Sequence, residues 1–124
     1  MARILVIDDD AEMRTVLRQT LNSAGHEVIL AADGKQGLAE CGVKAIDLVI
    51  TDLVMPNQEG METIMQLRRD FAKISIIAMS GVSDMRNLLW IAERLGAAKA
   101  IQKPFKPAEF LAAVTEVLEV RERA

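Results

Sequence analysis

Residues 47–56 read Asp47-Leu48-Val49-Ile50-Thr51-Asp52-Leu53-Val54-Met55-Pro56. Leu48 to Thr51 are apolar or β-branched without a break, an aspartate closes the run, and Pro56 stops any extension of it. A strand with one wet face alternates apolar with polar residues. A short continuous run is the pattern of a strand covered on both faces, as in a parallel sheet flanked by crossover helices.

Four more runs rich in Ile, Val and Leu lie on either side of it. With Asp47–Thr51 the set is Arg3–Ile7, Val28–Ala31, Ser75–Met79 and, more weakly, Ala98–Gln102. Segments of helical period separate them, so strand and helix alternate five times and the chain reads as an α/β domain with a parallel sheet. The first helix is expected over Ala11–Ala24, with Met13, Val16, Leu17 and Leu21 on its buried face, Asp10 as its N-cap and Gly25 as its left-handed stop. The second spans Lys35–Cys41 behind Asp33, with Cys41 packed at its end. The third runs from Met61 to Phe71 with Ile64, Leu67 and Phe71 inward. Gly96 closes the fourth, and Lys106-Pro107 opens the fifth, where Phe110, Val114, Val117 and Leu118 form the inner stripe and Arg121–Ala124 are expected to fray.

The chain has 124 residues, 51% hydrophobic and 27% charged, enough for one domain with a well-filled core and too few for two. One domain over residues 1–124 is the expectation. Its net charge of −3 lacks the basic footprint of a nucleic-acid binder. Cys41 is the only cysteine, which excludes an internal disulfide and a CxxC metal or redox motif. Three aspartates interrupt the N-terminal apolar stretch before it could act as a signal segment or span a bilayer. A cytoplasmic protein in a reducing compartment, with no membrane association, is expected.

In a parallel sheet all strands end on one edge, where open α/β sheets bind their ligands. Asp8-Asp9-Asp10 follows the first run, Asp52 the third, Ser80 the fourth and Lys103-Pro104 the fifth. Three carboxylates brought together there repel one another unless a cation lies among them. With oxygen donors and no His or Cys nearby, that cation is Mg2+ or Mn2+. Such an ion leaves coordination positions for a phosphoryl oxygen, Lys103 supplies a point charge for another, and Asp52 becomes a candidate nucleophile forming an acyl phosphate.

The ordered set of Asp8-Asp9, Asp52, Met55-Pro56, Gly60, Ser80-Gly81 and Lys103-Pro104-Phe105 resembles the receiver domain of two-component response regulators over essentially the whole chain. The resemblance implies a CheY-like, flavodoxin-type (βα)5 sandwich with a five-stranded sheet in the order 2-1-3-4-5. It implies Asp52 as phosphoacceptor, with Asp8, Asp9, Asp52 and the backbone carbonyl of Val54 as metal ligands. Ser80 corresponds to the switch hydroxyl and Lys103 to its salt-bridge partner, with Gly81 and Pro104 in the phosphate loops and a cis bond before Pro104. The phosphoryl donor would be a sensor histidine kinase or a histidine phosphotransfer protein. The domain would catalyse its own phosphorylation and slow dephosphorylation and be no enzyme otherwise.

Two features depart from the family pattern. Ala100 stands where an aromatic ring usually turns with the switch hydroxyl, so readout through such a ring is lost. Val54 and Val82 occupy the positions that tune dephosphorylation in the family, and neither orients water, which implies a long-lived phosphoryl group. On the fourth helix, taking Leu88, Ala92 and Leu95 as the inner stripe turns Trp90 about 200° away from Leu88, toward solvent. An exposed tryptophan suggests that the fourth helix, fifth strand and fifth helix dock a downstream target or a second copy. His26 reads as a surface loop residue.

Two other functions compete. A haloacid-dehalogenase-type phosphatase would use Asp8 as nucleophile and Asp10 as acid, but it needs a late acidic pair for its metal, and only Glu93 lies between Asp84 and Lys103. A receiver-like interaction module that is no longer phosphorylated fits Ala100 but not the intact acidic set. A flavodoxin-like phosphate loop is absent after the first run.

Overall fold

The five apolar runs become five parallel strands in the order β2-β1-β3-β4-β5, each followed by a helix. A computed structural model describes residues 1–53, 60–81 and 86–123, and of residues 86–89 and 123 it describes the backbone alone. The elements are β1 (Arg3–Ile7), α1 (Ala11–Ser23), β2 (Glu27–Ala31), α2 (Gly34–Val43), β3 (Leu48–Asp52), α3 (Gly60–Asp70), β4 (Ser75–Ser80), α4 (Arg86–Leu95), β5 (Lys99–Gln102) and α5 (Pro107–Arg123).

The continuous runs are continuous because both faces of the sheet are dry. Leu5, Ile7, Val49, Ile76 and Ala78 pack on one face with Ile64 and Leu67 of α3, Cys41 of α2 and Ala92 of α4. Their chain neighbours Ile4, Val6, Leu48, Ile50, Ile77 and Met79 pack on the other with Leu17 and Leu21 of α1 and Phe110, Val114 and Val117 of α5. The side-chain alternation of a strand thus feeds two cores, and truncating a fully buried residue such as Ile50 to alanine should cost about 2–5 kcal/mol.

Several boundaries and faces differ from expectation. Asp52 and Ser80 are the last residues of their strands rather than the first beyond them, since Asp52 is in register with Met79 and Ser80 with Gln102. Val16 is 50% exposed, not inward, because Leu17 and Leu21 alone fill the fully buried stripe of α1. Of the residues expected to fray, Arg121–Arg123 remain helical at the end of α5, where Arg121 donates to the Lys73 carbonyl and lies 3.5 Å from Asp47 Oδ1, and Ala124 lies outside the described residues. His26 lies in the loop between α1 and β2, as expected, but is half-buried there, and its Nδ1 accepts the Ala2 N–H at 3.1 Å. Gly25 and Gly96 do end their helices with positive φ, at 90° and 125°. No helix among the described residues is long and apolar enough to cross a membrane.

Candidate functional site

Asp8 follows β1 and extends its pairing, its N–H donating to Ala31 O at 3.1 Å. Its carboxylate is fully buried and held at both oxygens. Oδ1 accepts the Asp10 N–H at 2.9 Å, and Oδ2 accepts Lys103 Nζ at 2.8 Å. Asp10 in turn caps α1, accepting the N–H groups of Glu12 and Met13 through its side chain. Asp52, at the end of β3 and 8% exposed, receives a second bond from Lys103 Nζ at 3.3 Å through its Oδ2. Asp9 is exposed at the rim.

Carboxylate oxygens of Asp8, Asp9 and Asp52 lie within 4.8 Å of one another. These three hard oxygen donors, two of them on buried residues, fit a divalent cation of the Mg2+ class. Burial works to lower the pKa of the Lys103 ammonium, but the Asp8 hydrogen bond and the charges of Asp52 and Asp8 outweigh it, and the net direction is upward. The two carboxylates thus favour the charged form of Lys103.

Ser80 closes β4 one residue beyond the register partner of Asp52, and its carbonyl accepts the Lys103 N–H at 2.7 Å. Its hydroxyl is buried, and among the described residues Oγ has no hydrogen-bond partner. A buried hydroxyl without a partner is costly unless a bound group completes it, which is what a phosphoryl oxygen would do. The Lys103-Pro104 peptide is cis, as the family resemblance implied. Gly81 is exposed and backs the Lys103 stem, the position of a Cβ there lying 3.5 Å from Lys103 Cδ.

Gly60 is a site residue for a reason that spacing alone does not supply. Its N–H donates to Leu53 O at 3.0 Å, and a Cβ there would stand 2.2 Å from Asp52 O and 2.5 Å from Leu53 Cα. The first turn of α3 therefore rests directly on the backbone that carries Asp52. Arg14, which the sequence reading did not single out, donates through a guanidinium nitrogen to the Asp8 carbonyl at 2.6 Å. Its contact reaches back from one turn into α1, a relation that only the loop geometry reveals.

Ala100 is half-buried on β5, in register with Ala78, and packs against the core beneath α4. Trp90 is 59% exposed, as expected, with the Arg94 guanidinium 5.1 Å from its ring centre. Ala92 on the same helix is buried and Leu95 half-buried, which fixes the rotation of the C-terminal half of α4. Val54, Val82 and the Met55-Pro56 pair lie outside the described residues, as does the side chain of Leu88.

Residues 4–115 match the family model described as response regulator receiver domain. A probable transcriptional regulator, ycf27, of Porphyridium aerugineum is 37% identical over 98% of this chain and 50% of its own length. The transcriptional regulatory protein CpxR of Escherichia coli K12 is 33% identical over 95% of this chain and 50% of its own. The chain thus spans about half the length of these curated relatives. Among solved structures, a CheY-like receiver domain protein from Methanospirillum hungatei superposes with a TM-score of 0.92 at 28% identity, over 99% of this chain and 98% of that one. The response regulator TrrA of Thermotoga maritima, solved with Mg2+ and BeF, gives a TM-score of 0.85 at 30% identity over 94% and 99% of the two chains. With the 2-1-3-4-5 sheet and the acidic cluster at its carboxyl edge, these matches identify the chain as a member of the response regulator receiver domain family of two-component systems.

Proposed function

We propose that this receiver domain takes a phosphoryl group onto Asp52 from a phosphohistidine of a sensor kinase or phosphotransfer protein, in a reaction that requires Mg2+ or Mn2+. The observation that carries the reading is the convergence of Asp8, Asp9 and Asp52 oxygens within 4.8 Å, with Lys103 bonded to two of the three carboxylates.

The cation, held by Asp8, Asp9 and Asp52 and by the Val54 carbonyl that the resemblance adds, would neutralise charge on the transferring group. An Asp52 carboxylate oxygen attacks phosphorus, the phosphorus–nitrogen bond breaks, and its electron pair returns to the imidazole of the donor. Lys103 offers a fixed positive charge to a phosphoryl oxygen, and Ser80 Oγ offers a hydroxyl that lacks a partner among the described residues. Asp8 is the poorer nucleophile, since its carboxylate is fully buried whereas Asp52 is 8% exposed. That weighs against the phosphatase reading.

Readout passes through α4, β5 and α5 to a downstream protein or a second copy, in the cytoplasm and without nucleic acid binding by this domain. In support, Trp90 and Ile91 of α4 and Val120 of α5 are exposed, and a groove of about 800 Å3 lined by Lys73, Ser75, Glu93, Lys99, Glu116 and Val120 opens beside the starts of β4 and β5. The deciding experiment is intact mass after incubation with acetyl phosphate, with and without Mg2+. One phosphoryl group gained by the wild type with Mg2+, and none by Asp52→Asn, is expected. No adduct on the wild type would favour an interaction module, and an adduct lost in Asp8→Asn but kept in Asp52→Asn would favour the phosphatase chemistry.

A further inference from the structure

Asp9 is the one member of the acidic cluster whose side chain, among the described residues, makes no hydrogen bond or ion pair. It is exposed, so no side-chain partner among the described residues orients it, and the backbone sets the Cα–Cβ direction from which its rotamers reach the cluster. The peptide leading into it begins at the Asp8 carbonyl, and a planar peptide passes the direction of that carbonyl on to the Asp9 N–Cα bond. That carbonyl accepts the Arg14 guanidinium at 2.6 Å. Arg14 is itself fixed on α1, its N–H bonded to the carbonyl of the capping Asp10 at 3.0 Å.

We infer that Arg14 is a positioning residue for the divalent cation: by holding the Asp8 carbonyl it aims Asp9 at the point where Asp8 and Asp52 converge. The inference rests on the metal-dependent reading above. A guanidinium suits the task because its planar fork is pre-organised and its bond to a carbonyl is charge-assisted. Its two effects on a cation have opposite signs. As a nearby positive charge, Arg14 opposes cation binding, and as a brace on the loop it favours it. The sign of the change on removal therefore separates a positioning role from a merely electrostatic one.

The test is Mn2+ titration of the full chain without any phosphoryl donor, read as loss of the free-ion EPR signal. Arg14→Ala should weaken Mn2+ binding about tenfold, the scale of losing an outer-shell support, and Arg14→Lys, which keeps one charged donor, should recover most of it. Binding by Arg14→Ala equal to or tighter than wild type overturns the inference. If the far-UV spectrum shows Arg14→Ala unfolded, Arg14→Gln replaces it with the same reading of weaker against equal or tighter. A wild type that takes up no Mn2+, or Asp9→Asn binding as well as wild type, overturns the metal reading itself and the inference with it.

Discussion

Lys103 Nζ stands between two carboxylates, 2.8 Å from Asp8 Oδ2 and 3.3 Å from Asp52 Oδ2, and so already offsets the charge of two of the three carboxylates that would hold a divalent cation. On the proposed reading the ammonium and the ion would be partners in phosphoryl transfer but competitors at rest. Lys103→Ala should therefore bind Mg2+ more tightly than wild type by calorimetry, while losing about a hundredfold in phosphorylation rate for want of a charge on the transferring group. Without metal it should unfold about 3 kcal/mol more easily, because Asp8 is left buried without its counter-charge. Saturating Mg2+ should restore much of that loss. Unchanged Mg2+ affinity would show that Lys103 does not compete.

Ser80 reverses the usual expectation for a buried polar residue. With its hydroxyl lacking a partner among the described residues, Ser80→Ala removes a desolvated group, and the resting protein should be as stable as wild type or about 1 kcal/mol more stable in urea. Phosphorylation by acetyl phosphate should slow in the same variant. A loss of stability comparable to that of a core truncation would place Ser80 in the resting network instead.

The two faces of Gly60 and Gly42 predict opposite signs for the same substitution. A methyl at Gly60 would meet the Asp52 carbonyl oxygen at 2.2 Å, and both nearest atoms are backbone, so Gly60→Ala should cost at least ~2 kcal/mol and disturb phosphorylation of Asp52. Gly42 lies in α2 with nothing within 4 Å of the added methyl, and Gly42→Ala should stabilise by about 0.5–1 kcal/mol with normal phosphorylation. Paired urea denaturation curves and the acetyl phosphate assay read both.

Much of this arrangement is legible in the amino-acid sequence, and what is not has a physical basis. Leu48 to Thr51 announce a buried parallel strand because both faces need apolar residues, whereas β5, half-exposed at the sheet edge, carries only Ala100 and Ile101 as a weak signal. The helix expected over Lys35–Cys41 extends in the structure over Gly34–Val43, although it contains three glycines. At Gly37 a side chain would strike Ile7, and close packing on β1 overrides propensity. The site's aspartates, serine and lysine were readable as strand-end residues. Arg14 and the contact of Gly60 were not, since each depends on where a loop brings a backbone carbonyl. Val16 failed for a subtler reason, as α1 lies so that its inner stripe is narrower than the apolar pattern suggests.

Trp90 separates interface from stability. Its ring is 59% exposed and held against Arg94 at 5.1 Å, so Trp90→Ala should change the urea midpoint by no more than about 1 kcal/mol in free energy. Self-association or target binding of the phosphorylated protein, measured by sedimentation, should weaken at least about tenfold, since partly exposed aromatics near the centre of a contact dominate its energy. Unchanged association in the alanine variant would move the docking surface away from α4.

His26 gives the fold an acid-side sensitivity that is independent of the phosphorylation site. Its Nδ1 accepts the Ala2 N–H, so the ring is bound in its neutral form, and burial first, then the positive amino terminus, push its pKa below the usual 6.5. A group held neutral in the folded state takes up its proton more readily when unfolded. Stability is therefore fully present above about pH 6.5 and falls as pH drops toward the lowered folded value. The hollow around the ring is lined by Met1, Asp47, Glu119, Arg121 and Glu122, and the carboxylates among them would soften the penalty of a charged imidazole. Urea midpoints of the wild type should thus decline from pH 7.5 to 5.5 more steeply than those of His26→Gln, which lacks the titrating group. Parallel curves for the two proteins would place the acid sensitivity in the carboxylates instead.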